Sequence, residues 1–307
     1  MSSHRLVATL LAGLVSVALV APASADDTIA TDQSRNEIYS GVRVVVSIWD
    51  GVASAGVYDI EHIGDMEYVS IDGAWLVLGE GSATSGGGGM ALAGWSDIAL
   101  SDKYQVRSAV GKSMLGRTTR MVEVMEGDLV RSKFRFDIRT GAPLSTKIFD
   151  GDGELFRSST MVSFGRANLR LYRELLETGT QDIMMSVALG DALPEKVAGY
   201  QVADVYEMNG GGQQVFYSDG LFSFSVFTLA KNTTVSELAE ADEVTIGSGK
   251  YRRFASPTVV WVTWTAGDVT YVLVGDVPPD HLEAVLAELP KPSRGNFLTR
   301  WWGRMFG

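Results

Sequence analysis

The chain has 307 residues, no cysteine, 46% apolar side chains and a formal charge of -11. The apolar fraction excludes a disordered chain. The missing cysteines exclude a disulfide framework, a thiolate metal site and a cysteine nucleophile, and the acidic balance argues against nucleic-acid binding, which needs clustered positive charge.

Residues 1–25 have the pattern of a secretory signal peptide. His4 and Arg5 precede the apolar run Leu6–Val20, and Ala23-Ser24-Ala25 supplies a small-residue cleavage site. The run breaks at Pro22, short of the roughly 20 apolar residues that a membrane helix needs. Export to the periplasm or cell-envelope space is therefore expected. Removing the segment takes away Arg5 and no acid, so the remainder is more acidic still.

After a short stretch at Asn36–Ser40 with helical character, the pattern turns to strands: Val42–Trp49, Gly56–His62, Glu67–Ile71 and Ala74–Leu78. Asp72-Gly73 is a strong hairpin signal. A Gly/Ser-rich loop covers 79–89. Strands follow at Tyr104–Met114, Thr118–Met125, Leu129–Asp137, Pro143–Phe149 and Leu155–Phe164, with turns at Gly127-Asp128, Thr140-Gly141 and 150–153. This predicts an antiparallel meander of about nine strands over 36–165. A more charged connection spans 166–192. The second domain, 193–290, is predicted as about five strands with one helix. That helix, Pro279–Leu289, carries Leu282, Val285, Leu286 and Leu289 on one face, with Pro278 and Pro279 at its start and Pro290 at its end. Val235–Ala241 suggests a second, short helix. The fold class is α+β, mostly antiparallel β.

Catalysis finds little support. Beyond the leader only His62 and His281 remain, the latter expected to be exposed, and neither a nucleophile elbow nor a zinc-protease motif occurs. Asp150-Gly151-Asp152-Gly153-Glu154 opens like a calcium loop, but the position of the bidentate glutamate falls on Met161, so a hairpin turn is the better reading. No enzyme, metal or cofactor is expected. Arg131, Lys133 and Arg135 alternate with Ser132, Phe134 and Phe136, which predicts a basic face and an apolar face on one strand. The basic face suits an acidic partner or a lipid head group, and slightly better a solvated face with a cross-strand partner such as Glu123. The tail, 291–307, places Trp301 and Trp302 in an apolar helical stripe with Arg300 and Arg304 nearby, which suits either a membrane surface or docking on its own domain.

Several of these segments resemble the MucB/RseB family. They are Gly116-Arg117, Phe134-Arg135-Phe136-Asp137-Ile138-Arg139-Thr140-Gly141-Ala142-Pro143-Leu144, and Phe149-Asp150 with Gly153-Glu154-Leu155. In the second domain they are Leu193-Pro194 and Tyr217-Ser218-Asp219-Gly220-Leu221-Phe222-Ser223-Phe224-Ser225-Val226-Phe227, and near the start Tyr39-Ser40-Gly41 with His62. The resemblance spans about 36–290. A glycine loop stands between Leu78 and Tyr104 where the family has a longer element, and the tail lies outside the shared pattern.

The resemblance implies an extracytoplasmic negative regulator of a sigma-E-type stress response, which binds the outer part of a membrane-spanning anti-sigma factor and shields it from proteolysis. It also implies a first domain shaped like LolA and LolB, a curved half-barrel whose concave face takes a lipid or acyl chain. Val44, Val46, Trp49, Phe134, Phe136 and Ile148 are the candidates for that face. Tyr217 and Asp219, with Arg131, Lys133 and Arg135, are the candidates for the partner surface. The competing readings are a lipid or lipoprotein carrier without a regulatory partner, and a hydrolase built on a carboxylate pair in a cleft.

Overall fold

The computed structural model describes residues 38–63, 66–71, 74–79, 103–166, 187–208, 211–230 and 241–293. The signal segment, the Asp72-Gly73 hairpin signal, all but the first residue of the glycine/serine-rich loop expected over 79–89, most of the connection 166–192, nearly all of the short helix expected at Val235–Ala241 and the tail residues Arg300, Trp301, Trp302 and Arg304 lie outside them.

The period-two patterns become two antiparallel sheets. The first contains β1 (Ile38–Trp49), β2 (Val52–Ile63), β3 (Met66–Ile71), β4 (Ala74–Gly79), β5 (Tyr104–Met114), β6 (Arg117–Glu126), β7 (Leu129–Asp137), β8 (Pro143–Phe149) and β9 (Leu155–Gly165). Their order is β4-β3-β2-β1-β9-β8-β7-β6-β5. β4 and β5 are the two edges, so the sheet is open and does not close into a barrel. Asp50-Gly51 and Leu115-Gly116 both adopt positive φ, the conformation a two-residue hairpin demands.

One expectation fails at the start. Ile38–Ser40 is not helical but opens β1, paired with Glu61–Ile63. The tyrosine explains it: the Tyr39 ring stacks on His62 at 4.5 Å and on Phe164 at 5.2 Å, contacts that need strands on both sides.

The second sheet contains β10 (Lys196–Val197), β11 (Tyr200–Glu207), β12 (Gln213–Ser218), β13 (Ser223–Ala230), β14 (Asp242–Ile246), β15 (Gly249–Ala255), β16 (Val260–Ala266) and β17 (Val269–Gly275). Its order is β10-β11-β12-β13-β17-β16-β15-β14, eight strands where about five were expected. Two that had not been expected are the edges: β10 has two residues, and no side chain of β14 is fully buried, so neither carries a clear pattern. The helix α1 (Pro279–Glu288) forms as the periodicity predicts, with Leu282, Val285 and Leu286 buried.

The segment Phe134–Leu144 is a turn-building device. Asp137 Oδ2 accepts hydrogen bonds from Thr140 N at 3.1 Å, Thr140 Oγ1 at 2.5 Å and Arg117 Nη2 at 2.6 Å. The Asp137 backbone brackets the turn, donating to Ala142 O and accepting from Gly141 N. Burial would raise the carboxyl's pKa, but the Arg117 and Thr140 hydrogen bonds outweigh it and hold the group below its usual range. Charge-assisted bonds of this kind contribute about 1.5–3 kcal/mol. Asp137→Ala is therefore expected to lower unfolding stability by about that much, read from urea denaturation. Because the folded pKa is depressed, the contribution is complete above the unfolded value and fades as pH falls below it, so wild type and variant should converge in acid.

Candidate functional site

The inner face of the first sheet and one face of the second share a single apolar core. Trp49, Val122, Val124, Phe134, Phe136, Ile148 and Phe156 come from the first, and Tyr200, Val215, Phe222, Phe224 and Val262 from the second, joined by Leu282, Val285 and Leu286 of α1. Each sheet covers the apolar face of the other. We call this boundary the seam.

Charged groups are sealed into it. Arg157 on β9 pairs with Asp276, just beyond β17, and both are essentially inaccessible to water. Burial pulls the Arg157 guanidinium down to about 9, with the Tyr58 oxygen acting the other way, so the group stays cationic at neutral pH. Arg131, 1% exposed, reaches Asp280 of α1 at 2.9 Å and Glu126 at 3.2 Å, over the Phe222 ring. Asp219 accepts the Tyr104 hydroxyl at 2.6 Å and Lys103 Nζ at 2.8 Å. Burial, then the adjacent Asp219 carboxylate, push the Tyr104 hydroxyl well above its ordinary pKa, so it stays protonated and donates. The 150–153 turn also packs here: a Cβ on Gly151 would come within 2.8 Å of Asp280 Oδ2.

His281 sits in the middle of this cluster. It is buried, contrary to the exposure expected of a first-turn residue, because α1 turns that side toward the first sheet. Its Nδ1 lies 2.6 Å from the Tyr200 hydroxyl and its Nε2 3.5 Å from Glu126 Oε2. A tautomer with the proton on Nε2 suits both contacts. The His281 hydrogen bond is the largest influence on Glu126; burial opposes it, and Lys103, His281 and Arg131 add attraction, leaving the carboxyl at about 2.

The proposed site residues fall into three places. Trp49, Phe134, Phe136 and Ile148 lie together in the seam core. Val44 and Val46 do not join them. Strand alternation on β1 buries Arg43, Val45, Ser47 and Trp49, and turns the two valines to the opposite, outer face. The ladder also breaks. Val124 pairs with Ser132 while Met125 pairs with Val130, so Arg131 is the extra residue of a β-bulge. The bulge takes Arg131 out of the alternation and into the seam, and only Lys133 and Arg135 remain on the outer face.

Tyr217 and Asp219 do not form an open partner surface. Tyr217 is fully buried, stacked on Phe224 and donating to Pro194 O at 2.7 Å. Asp219 caps its own turn, with Oδ1 accepting from Leu221 N and Phe222 N, and spends its other oxygen across the seam.

Sequence reading missed Arg157, Asp276 and the environment of His281. These partners are distant in the chain and no local spacing announces them. The one local signal was a charged residue, Arg157, within an otherwise apolar and small strand.

The architecture defines a class: a two-sheet antiparallel β protein with a sealed, ion-paired seam. No protein-family model and no curated protein matches the chain. Among solved structures, the chain is similar to MucB in complex with the periplasmic part of MucA, with 18% identity and a TM-score of 0.48, over 87% of this chain and 98% of that one. It is similar also to MucB alone, with 21% identity and a TM-score of 0.46, over 86% and 97%. An outer membrane lipoprotein-sorting protein domain from Vibrio parahaemolyticus matches 50% of this chain and 93% of its own, with 10% identity and a TM-score of 0.21.

Two measurements test the seam. Arg157→Met leaves Asp276 as an unpaired buried charge and should cost about 3–5 kcal/mol, whereas Arg157→Met with Asp276→Leu should recover most of that loss. Equal loss in single and double variants would mean the pair does not hold the seam. For Glu126, the folded pKa lies below the unfolded value of about 4.3, so its contribution is full above that value and is lost as pH falls toward 2. Acid titration of the unfolding midpoint should show a smaller drop over that window in Glu126→Gln than in wild type.

Proposed function

We propose that the chain is an exported, non-enzymatic regulator that holds the extracytoplasmic segment of an anti-sigma factor and keeps a sigma-E-type stress response off. The observation that carries this reading is that the two segments resembling the MucB/RseB family meet. Phe134 and Phe136 of one share a core with Phe222 and Phe224 of the other, and Asp219 bonds to Tyr104 and Lys103 across the seam. In this reading 36–165 and 193–290 are the working domains, 166–192 joins them, and 291–307 is a basic aromatic tail for the membrane surface.

Lipid sensing follows from the same seam. Trp49, Phe134, Phe136 and Ile148 are the proposed lipid contacts, and in the closed arrangement the second domain covers them. An acyl chain reaching them must part the sheets. Lipid binding and closure therefore compete, and a partner that prefers the closed form is released.

The test is a pull-down. Immobilised residues 26–307 are offered extracytoplasmic segments of the host's anti-sigma factors, with and without phospholipid. Saturable capture of one segment, released by lipid, is the expected result. Capture of none, with lipid recovered from the purified protein, would make the chain a lipid or lipoprotein carrier instead. A second arm uses Ser47→Cys with Ser256→Cys, since Ser47 Oγ lies 3.0 Å from Ser256 O across the seam and the chain has no other cysteine. The oxidised variant should capture the segment and no longer release it with lipid; reduction should restore release.

A further inference from the structure

The outer face of the first sheet carries an arrangement that the fold itself does not need. Register places side chains in straight lines across the strands. One line runs Arg107, Glu123, Lys133, Lys147, Ser158, Val46 and Ala55, each directly opposite the next. The line beside it runs Ala109, Met121, Arg135, Ser145, Thr160, Val44 and Val57. The β5–β8 end is therefore basic and the β1–β2 end apolar, with a small hydroxyl-bearing strip between.

Three features of this face are unfavourable for an isolated protein. Lys133 and Lys147 are directly opposed, and like charges in that position repel. Among the described residues, Arg107, Arg135 and Lys147 have no ion pair; Lys133 has Glu123 at 2.7 Å. Val57 is 68% exposed, beside the partly buried Val44 and Val46. This concentration of unpaired cations stands on a chain of charge -11.

We infer that this outer face is a docking surface for a segment of a partner protein that carries carboxylates at one end and small apolar side chains at the other. The inference rests on the partner-binding reading above and names the chemistry of the partner. Charge complementarity selects an anionic occupant for the β5–β8 end. The apolar end selects a polypeptide over a bilayer, because the two lines hold valine and alanine and no tryptophan, phenylalanine or leucine to insert among lipids. The chain's own tail is a poor occupant, since Arg294, Arg300 and Arg304 repeat the sign of the face. Seven strands at about 4.8 Å spacing give a track of about 29 Å, which is about nine extended residues or about 19 helical ones.

The experiment titrates residues 26–307 with a fluorescein-labelled peptide of about 19 residues, glutamate-rich in one half and valine/alanine-rich in the other, followed by anisotropy. Parallel arms use phosphatidylglycerol vesicles, sedimentation of the protein alone, and the anti-sigma segments of the pull-down. The peptide should bind, more weakly as salt rises, and Arg135→Glu with Lys147→Glu should weaken it about tenfold or more. Val44→Asp should weaken it as well. All three side chains lie on the outer face, and circular dichroism checks that each variant is folded.

Peptide affinity unchanged by the charge reversal overturns the inference. So do vesicle binding with no peptide binding, or self-association abolished by the same variants. An anti-sigma segment that binds wild type and charge-reversed protein equally overturns the docking face while leaving the regulator reading intact. Peptide binding that depends on the face, with no anti-sigma segment captured, supports the face and removes the regulator reading.

Discussion

The apolar inner face of the first sheet cannot stand in water alone. It carries Trp49, Phe134, Phe136, Ile148 and Phe156, and a surface of that size is covered in a stable protein. The second sheet and α1 supply the cover, and the rest of the structure depends on that mutual burial. It explains why α1 sits where it does and why His281 is buried. It also explains why Arg131 leaves its strand's alternation to meet Asp280.

Ion pairs in such a place do not primarily add stability. Taking Arg157 and Asp276 out of water costs as much as their attraction returns, so the pair is better understood as fixing which arrangement of the two sheets is allowed. The same holds for the cluster of Lys103, Arg131, Glu126, Asp219 and Asp280 around His281. Two cations face three carboxylates there, with the imidazole set between Tyr200 and Glu126. An apolar seam can slide; one with directional, buried charges has a single register. If the seam opens and closes around a ligand, these pairs must all break together, which makes the two states distinct.

The two faces of the first sheet divide the work. The inner face is sealed and holds the apolar groups proposed for lipid. The outer face is open, with valines at one end and unpaired cations at the other. A signal that parts the seam changes the support beneath the outer face without touching what is docked there, a physical route between the two proposed sites.

Much of this was legible in the chain. Nine strands of the first sheet, the turns at Gly127-Asp128 and Thr140-Gly141, and α1 follow from period-two and period-3.6 patterns and from turn residues, because those depend on neighbours a few positions away. The Thr140-Gly141 turn that Asp137 holds announces itself for the same reason. Period-two alternation also places Val44 and Val46 on the face opposite Trp49, which grouping all three on one concave face overlooked. Only the tertiary structure decided that Arg131 is buried, since a bulge arises from pairing between two strands and is invisible in either one. It alone decided that Tyr217 and Asp219 are internal supports and that His281 is enclosed. Long-range pairing brought Arg157 to Asp276 and aligned Lys133 with Lys147, because register between distant strands is set by the whole sheet, which no local stretch of sequence contains.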